Sequence, residues 1–132
     1  MPLVRIDLPA GRPAEYRRAI GDAVYQTIVD KLNVPKDDRF QVIAEHSASD
    51  LIIDPACLGI ERSAVAVLIQ ITLNAGRTVE VKRAFYKALV DSLQEQVGLR
   101  REDVVINLVE VRKEDWSFGN GEAQYAPEEP PK

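Results

Sequence analysis

Residues 8–12 read Leu-Pro-Ala-Gly-Arg, and residues 73–77 read Leu-Asn-Ala-Gly-Arg, 65 positions further along the chain. The same offset, applied without a gap, aligns identical residues elsewhere in the two halves: Arg18-Ala19 with Arg83-Ala84, Ala23 with Ala88, Asp38 with Asp103, and Glu45 with Glu110. An internal repeat of this kind sets the architecture of a protein before any single residue is considered. The sequence therefore predicts two copies of one structural unit, at about residues 2–46 and 67–111.

Each unit is predicted to contain a strand, a helix and a second strand. Residues 3–8 alternate between apolar and polar side chains, as a half-buried strand does, and the segment that follows carries one apolar helical stripe. The predicted strands cover residues 3–8, 39–45, 64–73 and 104–111, and the predicted helices cover residues 13–32 and 79–97. Two strands joined through a helix in the same sheet form a parallel pair.

Merged into one sheet, the two units predict an α+β fold that is α/β-like within each β-α-β unit. The sheet has four strands, with both helices on one face. The other face is apolar enough to need a cover, which predicts a homo-oligomer. We expect a single domain over residues 1–125 of the 132, followed by a mobile tail, rich in Pro and Glu, at residues 126–132.

Composition argues against several classes of function. The net charge of −4 disfavours binding of nucleic acid, and no apolar run reaches the ~18 residues that span a bilayer. With one cysteine, Cys57, and one histidine, His46, the chain can assemble neither a disulfide, a zinc site nor a Ser/His triad. We expect a cytoplasmic protein without metal or cofactor, in which amine, carboxylate or guanidinium groups perform any chemistry.

Pro2 supplies a candidate amine. Methionine before a small residue such as proline is normally excised, which would leave a secondary amine at the start of the first strand. A generic α-amino group titrates at about 7.7–8.0, close enough to neutrality to act as a base, an acid or a nucleophile towards carbonyl carbon.

Three segments resemble one known family. They are residues 34–41 (Val-Pro-Lys-Asp-Asp-Arg-Phe-Gln), 58–63 (Leu-Gly-Ile-Glu-Arg-Ser) and 115–121 (Asp-Trp-Ser-Phe-Gly-Asn-Gly). Together with Pro2 and the Gly-Arg turn before each helix, they resemble the tautomerase superfamily and, within it, the malonate semialdehyde decarboxylase family. The resemblance covers nearly all of the chain. It implies a tautomerase-type β-α-β fold, a homotrimer and catalysis by the amino-terminal proline.

The resemblance also implies roles for five residues. Pro2 and Asp38 match the catalytic pair, Arg77 matches the arginine that binds substrate carboxylates in other members, and Trp116 and Phe118 match an aromatic wall beside the proline. Each has an ordinary structural alternative as well. Asp is common in turns, an arginine can cover the start of a helix, and aromatic side chains are often core residues.

The implied activity is cofactor-independent decarboxylation of a small oxo acid, malonate semialdehyde (3-oxopropanoate), to acetaldehyde and CO₂. The chain departs from the family at Asn74 and Gly76, where the decarboxylase has two arginines. An alternative is therefore a tautomerase of phenylpyruvate-like enols, or a hydratase or dehalogenase of unsaturated three-carbon acids. A third is a non-catalytic oligomeric binding protein. Arg12, the repeat mate of Arg77, can belong either to a subunit contact or to the site.

Overall fold

The structure is a computed structural model that describes residues 2–127. The strands are β1 (Leu3–Pro9), β2 (Phe40–His46), β3 (Val67–Asn74) and β4 (Val104–Val111), and the helices are α1 (Ala14–Leu32) and α2 (Val79–Val97). Short 3₁₀ turns lie at Cys57–Gly59, Arg101–Asp103 and Lys113–Asp115. Met1 and residues 128–132, which include most of the predicted tail, lie outside the described residues.

The four strands form one mixed sheet in the order β2-β1-β3-β4. Strands β1 and β2 are parallel, as are β3 and β4, because each pair is joined through a helix. The two central strands, β1 and β3, run antiparallel, with Leu3 opposite Thr72. The start of β1 therefore lies beside the end of β3, and the predicted fold of two repeated β-α-β units is confirmed.

One face of the sheet and one face of each helix enclose a single core. Alternate side chains of the central strands are buried in it: Val4, Ile6, Leu8, Val67, Ile69, Ile71 and Leu73. The helices contribute residues four positions apart, namely Ile20, Val24 and Ile28 from α1, and Phe85, Leu89 and Leu93 from α2. Burying each such large side chain contributes about 1.5–3 kcal/mol. Both helices lie on this face, as predicted, and they also contact each other.

The opposite face of the sheet is open in the single chain. At the end nearest Pro2, Phe40, Leu3 and Thr72 lie side by side on neighbouring strands, and Phe40 and Leu3 are 45% and 42% exposed. The next row is more polar, and there the Gln70 amide donates to Asn107 Oδ1 over 2.9 Å. The continuous apolar character of β3 predicts cover on both faces, but within one chain only its core side is covered.

A polar cluster of Arg5, Asp7 and His46 occupies the far end of the open face. Arg5 donates to both carboxylate oxygens of Asp7 at 3.0 Å, and His46 Nε2 lies 2.6 Å from Asp7 Oδ1. Burial alone would raise the pKa of Asp7. The hydrogen bonds from His46 and Arg5 outweigh burial and hold that pKa below its usual range.

The predicted start of β3 at residue 64 is wrong, because β3 begins at Val67. The three preceding residues turn around Ser63, whose hydroxyl accepts a hydrogen bond from Val65 N and whose carbonyl accepts one from Ala66 N. Ser63 is itself fixed by Asp103, which accepts from its main-chain N and its hydroxyl, each over 2.7 Å. These bonds direct the backbone away from the ladder despite the apolar sequence.

Candidate active site

Pro2 is buried at the end of the sheet, directly before β1 and between the start of β2 and the end of β3. It lines a cavity together with Asp38, and the other lining residues are both apolar and polar: Val4, Tyr25, Ile28, Arg39, Phe40 and Gln41. The cavity measures about 10 Å³ within the single chain, room for no more than about one water molecule. A substrate with several heavy atoms therefore needs space beyond this pocket.

Asp38 is a buried carboxylate at this cavity. Its side chain belongs to a residue only 6% exposed, and its Oδ2 atom has no hydrogen-bond partner within residues 2–127. Such a group is costly unless a donor reaches it. The backbone on both sides of Asp38 is attached to α1. The Tyr25 hydroxyl donates to the Lys36 carbonyl, and Arg39 pairs with Asp22 over 2.8 Å.

Arg77 follows β3 and reaches across to the end of α1. Its Nε and Nη2 donate to the Leu32 carbonyl, over 3.3 and 2.8 Å, and its Nη1 donates to the Asn74 carbonyl over 3.0 Å. Leu32 ends α1, so Arg77 satisfies one of the carbonyls that a helix leaves without an internal partner. Three of five N–H groups are used, which leaves one on each terminal nitrogen. Burial lowers the pKa of Arg77, and the nearby Glu110 opposes that effect.

Trp116 and Phe118 lie in the segment after β4, and they form an aromatic cluster with two further rings. The Trp116 and Phe118 rings stack with centroids 5.1 Å apart. Phe118 also contacts Phe40 at 5.7 Å and Tyr125 at 5.6 Å. Since Phe40 belongs to β2 and Trp116 follows β4, this segment crosses the end of the sheet that Pro2 occupies.

The loop that carries Phe118 is braced by its own residues. Gln124 accepts from Phe118 N over 2.9 Å and donates to the Gly119 carbonyl over 2.8 Å. Gly119 and Gly121 have φ angles of 135° and 67°, a left-handed backbone that other residues rarely adopt. These glycines allow the tight loop that turns the aromatic rings back towards the sheet.

The structure brings the five candidate residues to one end of the sheet in two groups. Pro2 and Asp38 share the small cavity, whereas Arg77, Trp116 and Phe118 do not line it. The second group is joined through Asn74, whose side-chain Oδ1 accepts from Trp116 Nε1 over 2.7 Å. The sequence alone identifies Asn74 only as a departure from the pattern of the family that the chain resembles, and it does not predict this bond.

Two absences concern the part of the chain that the structure describes. Neither of its long helices is apolar enough to cross a membrane. Residues 2–127 hold no group of three His, Cys, Asp or Glu side chains placed to bind a metal ion.

Comparison with known proteins defines the class to which this fold and site belong. Two family profiles, each describing tautomerase enzymes, match residues 38–119 and residues 2–60. The chain is 40% identical to the probable tautomerase YusQ of Bacillus subtilis (strain 168), over 94% of this chain and 98% of that protein. The chain belongs to the tautomerase family.

Among solved structures, the chain is similar to particular members of this family. A structure of FG41 malonate semialdehyde decarboxylase inhibited by 3-bromopropiolate is 45% identical, covers 93% of each chain and superposes with a TM-score of 0.87. A malonate semialdehyde decarboxylase solved to explain decarboxylase and hydratase activities is 34% identical, covers 93% of this chain and 95% of its own, and has a TM-score of 0.86. A fused 4-OT, a symmetric trimer, is 27% identical over 93% of this chain and 97% of its own, with a TM-score of 0.76.

Proposed function

We propose that the protein is a cofactor-independent decarboxylase of malonate semialdehyde, with Pro2 and Asp38 as catalytic residues. The supporting observation is the buried Asp38 carboxylate, whose Oδ2 lacks a partner within the described chain and lines the same cavity as Pro2. A prolyl amine freed by removal of Met1 is the donor that such an oxygen needs. The likeness to the two decarboxylase structures supports the choice of substrate.

Decarboxylation of a 3-oxo acid needs an acceptor for the electron pair of the C–C bond that breaks. When the C–C bond to the carboxylate breaks, its electron pair moves to the α-carbon and on to the neighbouring carbonyl, and CO₂ leaves. Protonated Pro2 would stabilise the developing enolate by donating a hydrogen bond. Neutral Pro2 would instead attack the carbonyl carbon, and loss of the carbonyl oxygen as water would form an iminium that accepts the pair. In both routes a proton then adds to the α-carbon, which yields acetaldehyde directly or after hydrolysis of the iminium. Asp38 would keep the amine protonated or orient a water molecule.

Arg77 is proposed to bind the substrate carboxylate. The single N–H groups left on its two terminal nitrogens suit the two oxygens of a carboxylate, and its other three N–H groups fix the guanidinium against Leu32 and Asn74. Orientation of the carboxylate sets the bond to be broken perpendicular to the carbonyl plane. The rings of Trp116 and Phe118 would supply apolar surroundings, which favour neutral CO₂ over the anion it comes from.

A homotrimer is proposed to complete the site. The cavity of one chain is too small for the substrate, and the open face exposes apolar side chains beside it, including Leu3, Phe40 and Val42. A second copy of the chain placed over that face would cover them and add walls to the pocket. The symmetric trimer formed by the fused 4-OT, a protein of the same fold, supports this arrangement.

The test uses tag-free protein, because any residue ahead of Pro2 blocks the amine. Mass spectrometry first establishes whether Met1 is removed, and CO₂ release from malonate semialdehyde is then followed. We expect Pro2→Ala to reduce kcat by about 10²-fold or more, the range of acid–base catalysis. Pro9→Ala, which changes the proline at the other end of β1, should leave kcat unchanged. Retention of Met1 together with an absence of activity would exclude the proposal and favour a non-catalytic binding protein. An unchanged kcat in Pro2→Ala would exclude Pro2 as the catalytic residue.

A tautomerase or hydratase is the second candidate. Because residues 74 and 76 are Asn and Gly, Arg77 is the one arginine of residues 73–77. Proton transfer by Pro2 requires weaker binding of a carboxylate than decarboxylation does. The likeness to a probable tautomerase supports the same reading. Rapid ketonisation of phenylpyruvate enol, or hydration of an unsaturated three-carbon acid, without CO₂ release from malonate semialdehyde would select this candidate.

A further inference from the structure

We propose that Asn74 is a positioning residue that fixes the indole of Trp116 relative to the guanidinium of Arg77. This inference rests on the proposed function of the site, since it concerns how the site is arranged for a small oxo acid. The position matters because Asn74 contacts both the aromatic ring of Trp116 and the guanidinium of Arg77 at the end of β3.

One residue holds both partners. The side-chain Oδ1 of Asn74 accepts from Trp116 Nε1 over 2.7 Å, and its main-chain carbonyl accepts from Arg77 Nη1 over 3.0 Å. The backbone of Asn74 is itself fixed as the last residue of β3, where it pairs with Val111, and Ala75 N donates to the Val111 carbonyl over 2.9 Å. The distance from the aromatic wall to the guanidinium is therefore set at the rigid end of a strand.

Trp116 needs such an anchor because it lies outside helix and strand. It follows the turn Lys113–Asp115 with extended backbone angles, and its ring is otherwise held by the stack on Phe118 at 5.1 Å. Stacking leaves a ring free to slide in its own plane, whereas a hydrogen bond to the indole N–H fixes its rotation. Nε1–H is the one polar group of the indole, so its acceptor decides how the ring is turned.

The residue at position 74 can either add a positive charge to the site or accept the indole N–H, but not both. An arginine there carries only donors and cannot accept the indole N–H, whereas asparagine accepts it and brings no charge. Asn74 therefore fixes the Trp116 ring and, unlike an arginine, adds no positive charge beside Arg77.

The experiment compares Asn74→Leu, which keeps the size but removes the acceptor, with Asn74→Asp, which keeps an acceptor. Trp116 is the only tryptophan, so its emission maximum and its quenching by acrylamide report the indole directly and independently of activity. We expect Asn74→Leu to shift the emission, to increase quenching, and to lower kcat/KM about three- to tenfold, the size of one neutral hydrogen bond. Asn74→Asp should restore the indole signals while raising KM, because its charge repels the substrate carboxylate.

Two further variants make the test decisive. Gln96→Leu, which removes an exposed amide in the last turn of α2, should change neither signal. Trp116→Phe keeps an aromatic ring without the N–H, so it should lower kcat/KM as Asn74→Leu does, and the double variant should lose no more than either alone. If Asn74→Leu does not fold, Trp116→Phe and Asn74→Asp still answer the question.

Unchanged Trp116 quenching in Asn74→Leu, or a changed indole with wild-type kcat/KM, would overturn the positioning role. Additive losses in the double variant would also overturn it. Inactivity of the wild-type protein towards both oxo acid and enol would instead overturn the proposed function. In that case the fluorescence of the variants still decides whether Asn74 holds Trp116.

Discussion

Asp38 and Asp103 stand 65 residues apart at equivalent positions of the two repeats, and both are buried, but within residues 2–127 only Asp103 has partners for both of its carboxylate oxygens. Asp103 accepts two hydrogen bonds of 2.7 Å from Ser63, one at each carboxylate oxygen. Oδ2 of Asp38 has no partner within residues 2–127. Asp103 therefore contributes to folding through these bonds, and the unpartnered oxygen of Asp38 is consistent with the proposed role of this residue in chemistry.

This difference predicts opposite effects of the same substitution. Asp103→Ala should lower the free energy of unfolding by about 2–3 kcal/mol, because it leaves the Ser63 N–H without an acceptor. Asp38→Ala should change stability by less than about 1 kcal/mol, yet lower kcat by about 10²–10⁴-fold if Asp38 takes part in proton transfer. Urea denaturation and steady-state kinetics on both variants provide the comparison. An Asp38→Ala protein that is unstable but fully active would assign this residue to folding.

Arg77→Lys should affect both binding and stability. Lysine keeps the charge but loses the planar fork, so we expect KM to rise about tenfold or more. The Leu32 carbonyl at the end of α1 loses its two bonds from Arg77, and the thermal midpoint should fall as well. Arg17→Lys is the matched control, since Arg17 also donates to a main-chain carbonyl, that of Arg12, over 2.7 Å, and lies at the other end of the sheet. It should lower stability slightly and leave KM unchanged, and a common rise of KM in both variants would argue against carboxylate binding by Arg77.

Asp7 should make stability depend on pH in the acid range. Its folded-state pKa is depressed below the unfolded value of about 3.9, so its stabilising effect is present above that pH and is lost as pH falls through the lower, folded value. We expect Asp7→Asn to lose about 2 kcal/mol at pH 6, the size of hydrogen bonds to a charged group, and the loss to shrink below about pH 4. Denaturation at a series of pH values measures this difference.

Asp91→Asn is the control for Asp7. The pKa of Asp91 is also lowered, by hydrogen bonds from Lys87 and Arg101, but this group is exposed. Water screens the pairs, so its replacement should change stability little at any pH. A constant deficit of Asp7→Asn from pH 6 to pH 3 would show that its effect does not come from ionisation.

The open face of the sheet should be the oligomer contact. Val42 lies on that face and is 47% exposed, whereas Ile52 is 87% exposed in the connection between β2 and β3. We expect Val42→Asp to lower the molecular mass in light scattering, because a charge buried at a subunit contact is costly. Ile52→Asp removes a comparable exposed side chain and should leave the mass unchanged. An intact oligomer in Val42→Asp would place the contact elsewhere.

Local signals in the sequence account for most of the fold. The limits of α2 are those predicted, since Thr78 caps its start with a bond from Val81 N and Gly98 ends it with a left-handed backbone. The start of β3 was mispredicted because the bonds that turn the chain at Ser63 come from Asp103, 40 residues later. Hydrophobic periodicity carries no information about such a long-range partner.

The candidate site shows the same division. Sequence motifs indicated Pro2 and Asp38, and the structure places both at one cavity. The partners of Arg77 could not be predicted, since its main acceptor, Leu32, lies 45 residues earlier at the end of the other helix. The partner of Asn74 could not be predicted for a similar reason, because its bond to Trp116 spans 42 residues.

The near-twofold arrangement of the sheet has an evolutionary and practical consequence. β1 and β3 are structural mates, but β1 follows Pro2 directly, whereas β3 follows a connection of 20 residues from the end of β2. Under the proposed chemistry, each copy of the chain is reactive at the end of the sheet that holds Pro2. The opposite end, the silent pole, has no such amine but still carries Asp103 and Arg12. A circular permutant reopened at residue 67, with proline as its new leading residue, would move the amine to the silent pole and allow a second catalyst to be built from the same fold.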